Sequence, residues 1–173
     1  MNSLINRSAL ATVAAIVALC CLSFSPQEGR KMASAEIKTL EGKAIDAATI
    51  QNDGKPMIVF VWEVTCQPCI KEFNAIAPMY DSWKAETGVK IVAISVDDSR
   101  SSSRVKPLVR ARGWSYDVYL DSNQSFKRAM NVPLCPYAFI MDGNGNVVWQ
   151  KSGYSPGDEA IIYETVKKYA GTK

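Results

Sequence analysis

An α/β sandwich built around a mixed β-sheet is the fold class this chain predicts, and three observations predict it. Two continuous apolar runs rich in β-branched residues, Met57 to Trp62 and Val89 to Asp97, read as strands buried on both faces. Between them Phe73, Ile76, Ala77, Tyr80 and Trp83 recur at helical spacing. A tight Gly143-Asn144-Gly145 turn then joins two more strand-like runs ahead of a last helical segment, so strands alternate with helices and close in a hairpin and a helix.

Taken in order, residues 1–35 are expected to lie outside the fold, with a globular domain over 36–173. Leu10 to Leu22 is uncharged and apolar and follows Arg7 and the amino terminus. It suits a signal-peptide core better than a span of about 20 residues. Ala33-Ser34-Ala35 has the A-x-A form of a cleavage site, so export to the periplasm or cell envelope is expected; a membrane tether through an uncut or lipidated N-terminal segment stays open. Cys20 and Cys21 read as small apolar residues of this run, because Leu19 stands where a lipidation motif has a small residue. Ile37 to Ile45 forms a hairpin-like start around Glu41-Gly42-Lys43, and Asp53-Gly54-Lys55-Pro56 a turn.

The strand from Met57 ends in Trp62-Glu63-Val64-Thr65-Cys66-Gln67-Pro68-Cys69, and a helix from Cys69 to Glu86 follows, stopped by Gly88. Pro78 inside that helix is expected to kink or divide it. Ser99 to Arg112 reads as a helix, Tyr116 to Leu120 as a short strand, and Ser125 to Asn131 as a short helix. Arg100, Arg104, Lys106, Arg110 and Arg112 make the first of these basic, a solvated face or a surface for an acidic partner. Tyr137 to Asp142 and Asn146 to Lys151 are the hairpin strands. Asp158 to Ala170 is the last helix, with Ile161, Ile162, Val166 and Tyr169 as its expected buried side.

Bulk properties narrow the function. With 47% apolar and 21% charged residues the chain can bury a core. Of its 20 basic and 17 acidic residues, Arg7, Arg30, Lys31 and Glu28 lie in the first 35, which leaves 17 against 16 and no nucleic-acid footprint. A protein partner and a monomeric state are expected.

The chemistry lies in Cys66 and Cys69. At the end of a buried strand, Cys66 meets the N-terminus of the next helix, where unpaired N–H groups and the helix dipole favour thiolate over thiol. Pro68 suits the first helical turn, where its missing N–H is no loss. Three residues on, Cys69 lies on the same face and can close a small disulfide ring. A lone C-x-x-C also fits half a zinc site, but the chain has no histidine and, beyond its first 35 residues, only one other cysteine, Cys135. A redox dithiol, needing no further cofactor, is the expected reading.

These phrases, with Val132-Pro133-Leu134-Cys135-Pro136-Tyr137-Ala138-Phe139-Ile140-Met141-Asp142, resemble the thioredoxin-like fold, a central mixed sheet flanked by helices on both faces. More narrowly the chain is similar to the exported TlpA/ResA-like thiol–disulfide oxidoreductases, over about residues 36–171. The family phrase F-W-A-x-W-C-x-P-C is matched from Val61 to Cys69, and the glutamate three residues after its second cysteine by Glu72. The resemblance implies Cys66 and Cys69 as catalytic residues, a cis-proline at Pro136 facing them, and supporting positions at Trp62, Glu63, Thr65, Gln67, Pro68 and Cys135. It also implies protein disulfides as substrates and an upstream dithiol donor.

The departures from the family are informative. Thr65 replaces a tryptophan, Glu63 an alanine, and Asn74 a helix proline, while Cys135 stands where Thr, Val or Ile is usual. Glu63 is either a buried carboxylate exchanging protons with Cys69 or a solvent-facing residue at the strand end. It does not occupy the thioredoxin buried-acid position, which is Phe60 here. Cys135 is either a small apolar filler or a third thiol. In the second case it could form an alternative disulfide or, with Cys66 and Cys69, a soft-metal site for Cu(I) or an Fe–S cluster, the module that competes with the enzyme reading. Gln67-Pro68 places no histidine beside Cys66, so reduction of substrates is expected rather than oxidation. A peroxiredoxin-like peroxidase would need P-x-x-x-T-x-x-C around Cys66, which is absent.

Overall fold

The computed structural model describes residues 29–171. The expected leader and its cysteines lie outside the described residues. The chain forms β1 (Glu36–Thr39), β2 (Ala44–Asp46), β3 (Met57–Trp62), α1 (Gln67–Thr87), β4 (Lys90–Ser95), α2 (Val105–Arg112), β5 (Asp117–Leu120), α3 (Ser125–Ala129), β6 (Tyr137–Met141), β7 (Val147–Ser152) and α4 (Asp158–Ala170). One mixed sheet runs in the order β2-β1-β5-β4-β3-β6-β7. Strands β3, β4 and β5 are parallel, and the pairs β3–β6, β6–β7, β1–β5 and β1–β2 are antiparallel.

Every residue of β3 is buried, because β4 and β6 flank it and both faces are covered. On one face Ile58, Phe60 and Trp62 pack under α1, α2 and α4; on the other Val59 and Val61 meet α3 and the N-terminal segment. The two parallel crossovers through α1 and α2 move the same way along the sheet, and right-handed connections put both helices on one face. This is a thioredoxin-like arrangement.

Four expectations change. Residues 29–35 belong to the fold: the Val147 N–H donates to the Arg30 carbonyl (2.6 Å), Lys31 bridges to Asn146, and Met32 is buried beside Met57 and Met141. No periodicity announces this segment, which docks by single side chains. Helix α1 runs unbroken through Pro78, whose ring lies on the exposed side, where water can take up the carbonyl it leaves free. The Ser99–Arg112 segment is a 3-10 turn at Ser102–Arg104 followed by α2, after Asp98 draws in the N–H groups of Arg100 and Ser101. Ile161 is 53% exposed, whereas Ile162 and Val166 face the core.

Candidate active site

Strand β3 hands its chain to a turn that the neighbouring strand holds. Buried Asp97, just past β4, accepts from the Val64 N–H (2.9 Å) and the Ser95 hydroxyl (2.8 Å). The Cys66 N–H donates to the Glu63 carbonyl (3.1 Å), which closes the turn. Cys66 is thereby the N-cap of α1, and its sulfur accepts from the Cys69 N–H at 3.3 Å. Pro68 occupies the first turn. Cys66 and Cys69 form a disulfide with their Cα atoms 5.3 Å apart. The two sulfurs are unequal: Cys66 is half-buried, and Cys69 is 0% exposed. Thr65, Gln67 and Pro68 stand exposed around Cys66.

A second loop comes to the same end of the sheet. Asp121, buried, accepts from the N–H groups of Phe126 (3.1 Å) and Lys127 (2.9 Å) and fixes the start of α3. Beyond α3 the chain passes exposed Leu134 to a cis peptide bond between Cys135 and Pro136, then enters β6 with Tyr137 opposite Val61. The Pro136 carbonyl accepts from the Gly153 N–H (2.8 Å). The Cys135 thiol points at Glu63, with Sγ 4.0 Å from Oε1. Burial, reinforced by the Glu63 charge, pushes this thiol up to about 12, so it stays protonated at neutral pH. Glu63 itself is half-buried.

The buried acid is a different residue. Glu72 falls on the core stripe of α1 with Cys69, Phe73, Ile76 and Tyr80, is 2% exposed, and its Oε2 has no hydrogen-bond partner. Burial first, then repulsion by Asp158, raises it to about 8, against a lowering pull from Lys151. One helical turn from Cys69, it shares that cysteine's face. Helical periodicity was the signal for it, since a carboxylate on an apolar stripe is an anomaly that asks for a role. Trp62, also read from the family phrase, is buried edge-on against Trp114 (5.7 Å between centroids) and tilted against Phe73 (5.3 Å), and its indole N–H too lacks a partner. The Trp114 indole N–H donates to Asn74 Oδ1 (3.2 Å), so the asparagine that replaces the family's helix proline ties α1 to the chain beyond α2.

The structure thus gathers Trp62, Glu63, Thr65, Cys66, Gln67, Pro68, Cys69, Cys135 and Pro136 at one end of the sheet. It does not assemble the three-thiol metal site. Cys66 and Cys69 are bonded to each other, Cys135 turns to Glu63, and among the described residues no group of three Cys, Asp or Glu could hold an ion.

Comparison with known proteins agrees with this geometry. The AhpC/TSA family model matches residues 29–150. The thiol-disulfide oxidoreductase ResA of Bacillus thuringiensis is 31% identical over 127 residues, which cover 73% of this chain and 70% of the relative. An uncharacterized thioredoxin-like protein from Porphyromonas gingivalis has a solution structure matching with a TM-score of 0.74 at 42% identity, over 82% of this chain and 94% of that one. A thiol:disulfide interchange protein of the thioredoxin family from Chlorobium tepidum matches at 0.66 and 25% identity, over 85% and 100%.

Proposed function

The chain belongs to the AhpC/TSA family and is a thiol–disulfide oxidoreductase of thioredoxin fold, and on that premise we propose that it reduces protein disulfides in the bacterial cell envelope through Cys66 and Cys69. The observation that carries this reading is the inequality of the two sulfurs: one reachable at a helix N-terminus, its partner sealed behind it.

In the reduced protein the Cys66 thiolate is stabilised by the α1 N-terminus, where the Cys69 N–H already points at its sulfur. It attacks a substrate disulfide and forms a mixed disulfide, and one substrate sulfur leaves as a thiolate. Cys69 gives its proton to the Glu72 carboxylate and attacks Cys66. The Cys66–Cys69 bond forms, the bond to substrate breaks, and the second substrate sulfur departs. Burial holds the Glu72 carboxyl at about 8, far closer to the range of a thiol than an exposed glutamate would be, which suits it to accept that proton. An upstream dithiol donor must then reduce the pair again. The loop at Leu134–Pro136, whose Cys135 thiol meets Glu63 of the turn that leads to Cys66, would pair with the backbone of an extended substrate segment. The apolar run before residue 29 supports export, with or without retention at the membrane.

The test is a glutathione redox titration of Cys66 and Cys69 by thiol trapping and mass spectrometry, run beside a Cys69→Ser variant. A potential near thioredoxin's, about −270 mV, with a mixed disulfide accumulating on Cys66 in the variant, is expected. A potential near about −120 mV would make the protein an oxidant instead.

A further inference from the structure

The surroundings of Glu72 hold a second pair of charges that the two-cysteine mechanism does not use. Register places Lys151 opposite Ala138, and Ala138 opposite Phe60, so Lys151 projects from β7 onto the face that carries α1 and α4. There its ammonium forms an ion pair with Asp158 at the start of α4. Asp158 is buried and also accepts from the Ser155 N–H (2.6 Å), while Lys151 remains one-third exposed. Helix α4 packs on α1, so this half-open pair sits at the start of the helix that lies against the one carrying Glu72. The other groups around Glu72 are Glu159 of α4, whose carboxylate accepts from the Tyr154 hydroxyl (3.4 Å), and Tyr116, whose hydroxyl is committed to the Phe73 carbonyl (2.9 Å).

We propose that Lys151 and Asp158 are positioning residues for the resolving step, setting the pH at which Glu72 takes the proton of Cys69. The inference rests on the reading of Glu72 as that proton acceptor. The two charges act on it with opposite sign. The ammonium stabilises the Glu72 carboxylate and the Asp158 carboxylate opposes it, so the acceptor is held between them. No atom of either residue enters the reaction: the proton passes from Cys69 to Glu72 and later to water, and the electron pair leaves with the substrate sulfur.

The experiment follows one turnover of the reduced full-length protein with a disulfide-bonded peptide. Acid quench and mass spectrometry report the mixed disulfide on Cys66 and its decay to Cys66–Cys69, at pH values from 5 to 10. Lys151→Met should move the pH midpoint of the decay rate up by about one unit, and Asp158→Asn should move it down by a similar amount. Lys151→Arg should restore the unsubstituted midpoint. Loss of packing alone would not displace the two midpoints in opposite directions. If Glu72→Gln abolishes the midpoint while Lys151→Met and Asp158→Asn leave it in place or move it the same way, the pair has no such role. If the midpoint survives Glu72→Gln, the acceptor is wrongly assigned and the proposed mechanism falls first.

Discussion

The two ends of β3 are built for different purposes. At its start, Met57 pairs with Met141, and a cavity of about 360 Å³ opens between Lys31, Ile50, Lys55, Gly143 and Asn144. At its finish, about 17 Å along a six-residue strand, Trp62 leads to a sulfur standing at the rim among exposed Thr65, Gln67, Pro68 and Leu134. A hollow suits a small molecule. Disulfide exchange instead needs one sulfur that another protein's disulfide can reach, and a second that it cannot. Both ends use a close approach of two loops: Gly54 against Gly143 at one, the Cys135–Pro136 peptide beside the turn from Glu63 at the other. Only the second brings reactive atoms together.

Substitution at each end separates the two. Cys66→Ser is expected to abolish reduction of a disulfide-bonded protein substrate while leaving thermal stability close to that of the reduced protein. Gly143→Ala should do the reverse. A Cβ there would collide with the Gly54 carbonyl oxygen, so the turns must separate at a cost of about 1–3 kcal/mol, with exchange retained. Loss of exchange in Gly143→Ala would show that the ends are not independent.

A second measurement reads the dithiol end alone. Glu72 is raised from 4.5 to about 8, so the folded state holds a proton that the unfolded state releases between those values. Stability from this group is complete below pH 4.5 and drains away as pH rises to about 8, by at most about 5 kcal/mol at about 1.4 kcal/mol per pH unit. Glu72→Gln should flatten the fall in urea midpoint across that window; an unchanged slope would mean that Glu72 is better solvated than its burial indicates. Asp97→Ala removes the acceptor of the Val64 N–H and the Ser95 hydroxyl, for a loss of about 1–3 kcal/mol and slower exchange. The smallest effect is expected at Cys135. Its protonated thiol does no exchange, so Cys135→Thr should leave the disulfide distribution in a glutathione titration unchanged. A Cys66–Cys135 bond in the unsubstituted protein would overturn that.

Elements with strong local patterns were legible in the sequence. A six-residue apolar run had to be an inner strand, the dithiol had to follow it, and α4 begins and ends at the predicted residues. Contacts made by single residues were not legible. Ile161 and Ile162 are neighbours about 100° apart on a helix, and only packing decides which one faces inward. Likewise Glu63 read as either a buried acid or a solvent-facing residue, and Glu72 emerged as the buried acid only with the face of α1 that meets the sheet. Glu63 precedes the helix and lies near Cys135, while Glu72 rides the stripe that α1 presses against β3.

The docking of the N-terminal segment sets a direction. Arg30 and Lys31 attach to Val147 and Asn146, at the same pole as the cavity, so the described chain begins there. Cys66 sits at the other pole. Any leash through those first residues would therefore hold the domain by its heel, with the reactive sulfur turned outward to passing proteins and the attachment out of their way.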